Sequence, residues 1–231
     1  MLFRSPQNLT RIDRKGLSQS NSKSIAFNGN AYFIGMESNI IEVVDSTTLA
    51  TVNVIADSHI NHVRDIIFLR GGQTMVVASN GNNKLVFFNR SNSSSVNYTF
   101  AYEVPTTYSG PHGLWYVNDS FFYATSWDAR SVYSHATANG VTWNQSLFAN
   151  LNSVMSGYGS THVTVDECGR KWVSLVANKM IIYDDNGTYI GNFVLPSASI
   201  FDALFLDNYV MYLSDQSSGG NIIRLDPRIT C

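Results

Sequence analysis

The chain has 231 residues, 44% of them hydrophobic, 13% aromatic and only 14% charged, and Ser, Thr and Asn stand where charges would be, a composition of many short strands and turns rather than of long surface helices. A formal charge of −2 and an isoelectric point near 6.2 give no general attraction for phosphate backbones, so no nucleic-acid partner is expected. No run approaches the roughly 18 consecutive apolar residues of a bilayer span, and the N-terminus, Met1-Leu-Phe-Arg-Ser-Pro6, carries no visible signal-peptide core.

Residues 1–23 form an N-terminal segment, and five similar units fill residues 24–231. The units begin Ser24-Ile-Ala-Phe27, Asp65-Ile-Ile-Phe68, His112-Gly-Leu-Trp115, His162-Val-Thr-Val165 and Asp202-Ala-Leu-Phe205, at spacings of 41, 47, 50 and 40 residues. A fixed period of this size marks propeller blades and solenoids. After each first strand comes a tight turn: Asn28-Gly29-Asn30, Arg70-Gly71-Gly72, Asn118-Asp119, Cys168-Gly169-Arg170 and Asp207-Asn208. Asn and Gly supply the positive φ that two-residue hairpins need. Second strands follow at Tyr32–Gly35, Met75–Ala78, Phe122–Thr125, Trp172–Leu175 and Val210–Leu213. Third strands lie at Ile40–Asp45, Leu85–Asn89, Ser131–Ser134, Met180–Asp184 and Ile222–Asp226, and more variable fourth strands at segments such as Ser95–Phe100 and Val141–Ser146.

Four strands per unit, short turns and no helical period predict an all-β fold, a β-propeller of about five four-stranded blades. The last unit shows only three strands. Asn8-Leu-Thr-Arg-Ile-Asp13 resembles Asn221-Ile-Ile-Arg-Leu-Asp226, so residues 1–23 either complete the last blade or are the remnant of a sixth.

The stretch Gly110-Pro-His-Gly-Leu-Trp-Tyr-Val117, a turn and Phe121-Phe-Tyr-Ala-Thr125 resemble the blade of the NHL/YVTN repeat family. Lys84-Leu-Val-Phe-Phe88 and Lys179-Met-Ile-Ile-Tyr183 repeat that family's later pattern, and the likeness runs from about residue 24 to residue 226. The family is commonly six-bladed, which leaves open that this chain is a fragment. It spans ligand-binding domains, lactonases and lyases, so function has to be argued from the site.

Successive strands of a blade are antiparallel, so its connections alternate between faces. Fourth-to-first and second-to-third connections share one face, here the top. The top loops carry His59, His62, Tyr108, Trp127, Asp128, Arg130 and Tyr158 as candidate ligand-face residues. Asn-x-Ser/Thr sequons stand at Asn8, Asn89, Asn92, Asn97, Asn118, Asn144 and Asn186. The last six fall on bottom turns or outer strands and leave the top free of sugar. Together with an even cysteine count, Cys168 and Cys231, they point to an extracellular or lumenal protein. A Cys168–Cys231 disulfide would close a loop of about 60 residues and stabilise by roughly 2–4 kcal/mol.

Aligned with one another, the units place Asp65, His112, His162 and Asp202 at one repeat position, with Ser24 in the remaining, first unit. First strands line a propeller's channel, so these side chains are expected near the axis. Two imidazoles and two carboxylates are a ligand set for a divalent metal, zinc or calcium, and the family's lyases and lactonases hold a metal in this region. The alternative is a polar channel mouth in which each histidine bonds a backbone carbonyl. His59-Ile-Asn-His62 has ligand spacing but sits in a loop, and His135 has no evident partner. Two functions follow: a binding or scaffold module for a protein or small-molecule ligand, and a metal-dependent lactonase or lyase.

Overall fold

The computed structural model describes residues 21–154, 159–195, 200–206, 210–215 and 221–225. Among them every regular element is a strand, apart from two 3-10 turns at Asn80–Asn82 and Leu151–Ser153. The first blade holds β1 (Ser22–Phe27), β2 (Ala31–Met36), β3 (Ile40–Asp45) and β4 (Thr51–Ala56). The second holds β5 (Val63–Leu69), β6 (Thr74–Ser79), β7 (Lys84–Arg90) and β8 (Tyr98–Pro105). The third holds β9 (Pro111–Asn118), β10 (Phe121–Ser126), β11 (Ser131–Ala136) and β12 (Asn144–Asn150). The fourth holds β13 (Ser160–Val165), β14 (Lys171–Leu175), β15 (Lys179–Tyr183) and β16 (Tyr189–Val194). The fifth holds β17 (Ile200–Leu206), β18 (Val210–Asp215) and β19 (Asn221–Leu225).

Each blade is an antiparallel meander in chain order, and the first strands of successive blades touch one another, which puts them on the inside of a ring. The fold is the β-propeller expected from the repeats. Asn8, Asp226 and Cys231 lie outside the described residues, as does the turn at Asp207 and Asn208.

The turn residues act locally as their chemistry dictates. Asn28 Oδ1 accepts the N–H groups of Asn30 and Ala31, and Gly29 takes φ 97° between them. Asp45 Oδ1 accepts from Thr47 and Thr48, Asp184 Oδ1 from Asn186 and Thr188, and Asp166 Oδ1 from Cys168 and Arg170. Asp45 and Asp184 at the ends of third strands, and Asp166 at the end of a first strand, therefore hold the turns that follow them.

The core is divided by blade interfaces. One apolar cluster joins blades 1 and 2 through Phe33, Ile66 and Phe88, the next joins blades 2 and 3 through Phe87, Leu114 and Phe122, the third blades 3 and 4 through Val132, Val163 and Val173, and the fourth blades 4 and 5 through Trp172, Ala203 and Met211. Phe87 and Phe88 point to opposite faces of β7 and so belong to different clusters, as the period of two requires. Phe87 is fully buried and stacks on Tyr102 and Trp143, with ring centroids 4.4 and 5.6 Å away. Phe87→Ala should lower the unfolding free energy by about 3–5 kcal/mol in chemical denaturation. A loss below about 1 kcal/mol would mean that the blade 2–3 interface is not a close-packed core.

Candidate functional site

The channel is built by one backbone irregularity that recurs in every blade. Pairing between first and second strands jumps by one residue between Ser22 and Ser24, Val63 and Asp65, Ser160 and His162, and Ile200 and Asp202. In blade 3 the jump lies between Pro111 and Leu114. These are β-bulges, which insert an extra residue and re-aim the neighbouring side chains. The bulged residues and the residues after them, Lys23-Ser24, Arg64-Asp65, His112-Gly113, Thr161-His162 and Phe201-Asp202, together line one axial pocket.

This register corrects the self-comparison at one blade. Pro111 pairs Ser126 as Val63 pairs Ser79, and Leu114 pairs Ala124 as Ile66 pairs Val77. Gly113, not His112, therefore stands where Asp65, His162 and Asp202 stand. His112 takes the bulge position of Arg64 and Thr161. The reason is space: a Cβ on Gly113 would come within 2.3 Å of the Thr161 carbonyl oxygen and 2.6 Å of His162 Cα, so no side chain fits where blade 3 meets blade 4.

Both histidines reach the channel and do different things there. His112 is buried and donates from Nδ1 to the Thr161 carbonyl at 2.9 Å, since a carbonyl can only accept. Its ring stacks near Trp127 and meets Phe201 edge-on. Burial pushes its pKa down to about 4, the Arg64 charge acting in the same direction, so it is neutral at pH 7. His162 lies between two carboxylates, with Nδ1 3.4 Å from Asp65 Oδ2 and Nε2 3.3 Å from Asp202 Oδ1. Burial alone would discharge it, but Asp202 and Asp65 outweigh that and raise its pKa to about 9. The imidazolium thus links blades 2, 4 and 5. Asp65 is tied further, its Oδ1 to the Ile66 N–H and its Oδ2 to the Leu114 N–H of blade 3. The Asp202 side chain is 55% exposed but opens onto a channel walled by protein. That confinement raises its carboxyl pKa against the pull of His162.

This arrangement does not fit a metal ion. The two nitrogens of His162 face different carboxylates, 3.4 and 3.3 Å away, and are paired with them rather than turned to a common point. Among the described residues no three His, Cys, Asp or Glu side chains are grouped to hold an ion. The pocket has a volume of only ≈ 30 Å³, room for a water or two and far below the volume of a substrate site.

The top-face candidates separate by burial. Tyr108 is a core residue, 6% exposed. Its hydroxyl bonds His135 Nε2 at 2.8 Å, and its ring stacks on Tyr133. His135 thereby gains the partner that the sequence did not reveal, and burial lowers its pKa to about 3. Trp127 lies flat over Gly159, where an added Cβ would sit 2.4 Å from its ring. His59 bonds Asp57 at 2.6 Å and stacks on Phe100. His62 and Asp128 are exposed, and Arg130, half-buried, reaches Asn152 at 3.5 Å. Tyr158 lies outside the described residues.

No protein-family model and no curated protein matches this sequence. Solved propellers are similar in fold. The β-propeller domain of Myceliophteria thermophila Cps50 (Swd1) gives a TM-score of 0.65 at 12% identity, over 93% of this chain and 68% of that one. Kuenenia stuttgartiensis hydrazine synthase gives 0.63 at 13% identity, over 95% and 70%. At such identities the likeness shows the fold alone.

The His162 pair has a pH signature. His162 is raised from 6.5 to about 9 in the fold, so its stabilisation is complete below about pH 6.5 and lost as pH rises through about 9. His162→Gln should be markedly less stable than the parent at pH 6, and the gap should close by pH 10. A gap of equal size at both pH values would show that packing, not the ion pair, is what the substitution removes.

Proposed function

We propose that this chain is an extracellular binding or scaffold propeller of the NHL/YVTN repeat kind that engages a protein or small-molecule ligand through its top face. The observation that carries the reading is the division of the surface. Asn89, Asn92, Asn97, Asn118, Asn144 and Asn186 are all exposed and all stand at the bottom ends of their strands. Among the described residues the Nδ2 atoms that would take sugar meet no partner at five of the six, while the Oδ1 atoms of Asn89, Asn97 and Asn118 fix the side chains. At Asn92 the Nδ2 reaches only Ser91 Oγ, at 3.4 Å. The described top loops bear no sequon, and the axial pocket beneath them is too small for a substrate.

The test is expression through a secretory pathway, then enzymatic removal of N-glycans with site mapping, intact mass without reduction and elemental analysis. Sugar on several of the six sites, a Cys168–Cys231 disulfide and no stoichiometric metal are expected. Empty sites in a correctly folded secreted protein would remove the extracellular reading. One equivalent of zinc or calcium, lost in His162→Ala, would replace the binding module by the metal-dependent lactonase or lyase.

We also propose that Asn8–Asp13 supplies the fourth strand of blade 5. Fourth strands end at Ala56, Pro105, Asn150 and Val194, eight to twelve residues before the bulge-following residue of the next blade, and Asp13 precedes Ser24 by eleven. The segment would take the outer edge of β19, the last strand of the three-stranded sheet among the described residues, where Ile222 is 74% exposed. Deleting residues 2–13 should lower the thermal midpoint by several degrees and increase binding of a hydrophobic dye. A deletion that melts as the full chain does would assign the segment elsewhere.

A further inference from the structure

Glu42 puts a carboxylate at a position that is aliphatic or aromatic in the other four blades. Ile25, Ile66, Leu114, Val163 and Ala203 of the first strands pair with Ile34, Val77, Ala124, Val173 and Leu213 of the second. These pair in turn with Glu42, Val86, Tyr133, Ile181 and Ile223 of the third. In blades 2 to 5 all of them pack against the blade before, so Glu42 faces the seam between blades 5 and 1. It is fully buried, and Thr51 Oγ1 donates to its Oε1 at 2.5 Å. Beside it Ile34, Met36 and Val44, at most 8% exposed, form an apolar cluster whose described members all belong to blade 1. The inner strand of the same face is open: Ile25 is 66% exposed, whereas Ile66, Leu114, Val163 and Ala203 are at most 3% exposed. A neighbouring sheet would cover the inner strand and the centre of the face together. What closes over Glu42 is therefore narrower than a blade.

Blades 2 and 3 contain such a cover. The connection entering blade 2 carries Ile60, five residues before Asp65, into the same cluster as Val86. The connection entering blade 3 carries Tyr108, five residues before Gly113, and stacks it on Tyr133 with ring centroids 3.9 Å apart. Each connection sends one side chain to the Glu42-equivalent of the blade it enters, and the chemistries match, aliphatic with aliphatic and aromatic with aromatic. Five residues before Ser24 stands Gln19, which lies outside the described residues. Its amide has two N–H groups to give a carboxylate, where an aliphatic side chain would give a buried charge nothing. We propose that residues 14–20 form the connection from blade 5 into blade 1 and that Gln19 donates to the Glu42 carboxylate, so that the chain's own N-terminal segment plugs the seam. The contact is polar where the equivalent contacts of blades 2 and 3 are apolar and aromatic.

The experiment follows amide hydrogen exchange of residues 14–20 in the full chain and in Gln19→Leu, Glu42→Leu and the double variant. In the parent these amides should be protected, and each single substitution should speed their exchange at least about tenfold. The double variant rebuilds the aliphatic pair of blade 2 and should return to within about threefold of the parent, since residues in contact do not act additively. Unprotected amides in the parent, a silent Gln19→Leu, or a double variant whose loss is the sum of the two singles overturns the proposal. If Glu42→Leu alone fails to fold, a folded double variant is the same compensation, and a double variant that also fails overturns the pairing. Deleting residues 2–13 leaves Gln19 in place. A lowered melting point in that deletion beside an uncoupled Gln19 and Glu42 would keep the blade 5 strand and remove only the plug.

Discussion

The approach of one inner strand to the next around the axis is the constraint on which the rest of this propeller depends. Five sheets cannot converge unless their first strands come nearly backbone to backbone, and between blades 3 and 4 this leaves no room for a Cβ at Gly113. The Thr161 carbonyl there receives both the His112 imidazole and, at 3.1 Å, the Thr125 hydroxyl. Thr125 Oγ1 also accepts the Gly113 N–H at 2.8 Å, and Gly113 has no side chain because none would fit. The four apolar interfaces outside this point are ordinary two-layer packing.

The charges at the axis follow from that closeness. Bulges turn two successive residues of each first strand toward a channel too narrow for much water, so any ionisable group there must be discharged or paired. Both solutions occur within a few ångströms: His112 is neutral on a carbonyl, and His162 is charged between Asp65 and Asp202. A constellation that reads in one dimension as a ligand set is, in three, already satisfied by itself. Imidazoles and carboxylates committed to one another in this way tie blades 2, 4 and 5 together.

The sequence was legible wherever side chains alone carry the information. The period of 40–50 residues, the Asn-Gly and Gly-Gly turns, the apolar alternation that sends Phe87 and Phe88 into different interfaces, and the acids that hold the following turn all follow from residue type and spacing. The bulge did not, because it is a jump in backbone pairing with no signature in residue type. His112 therefore slid into the position that Gly113 holds, since a histidine aligned with another histidine looks right and a glycine aligned with an aspartate does not. Tyr108 failed for a related reason. It sits beside a Ser-Gly turn and reads as a loop aromatic, but β11 brings His135 beneath it, and a contact across 27 residues leaves no local trace.

The top of the molecule is consequently shaped by a backbone event rather than by a motif. The bulges lie at the beginnings of the first strands, where the fourth-to-first connections arrive. The same extra residue that aims Arg64 and Asp65 at the axis fixes where the Asp57–His62 loop must enter blade 2. That loop is then pinned by Asn39 on one side and by Ser79 and Asn82 on the other. A loop so held is fixed in place by the protein's own side chains before anything meets it. The outer, lower ends of the strands carry the sequons and lie against no such wall. The asymmetry between the two faces therefore begins at the inner strands, in the residue that breaks their register.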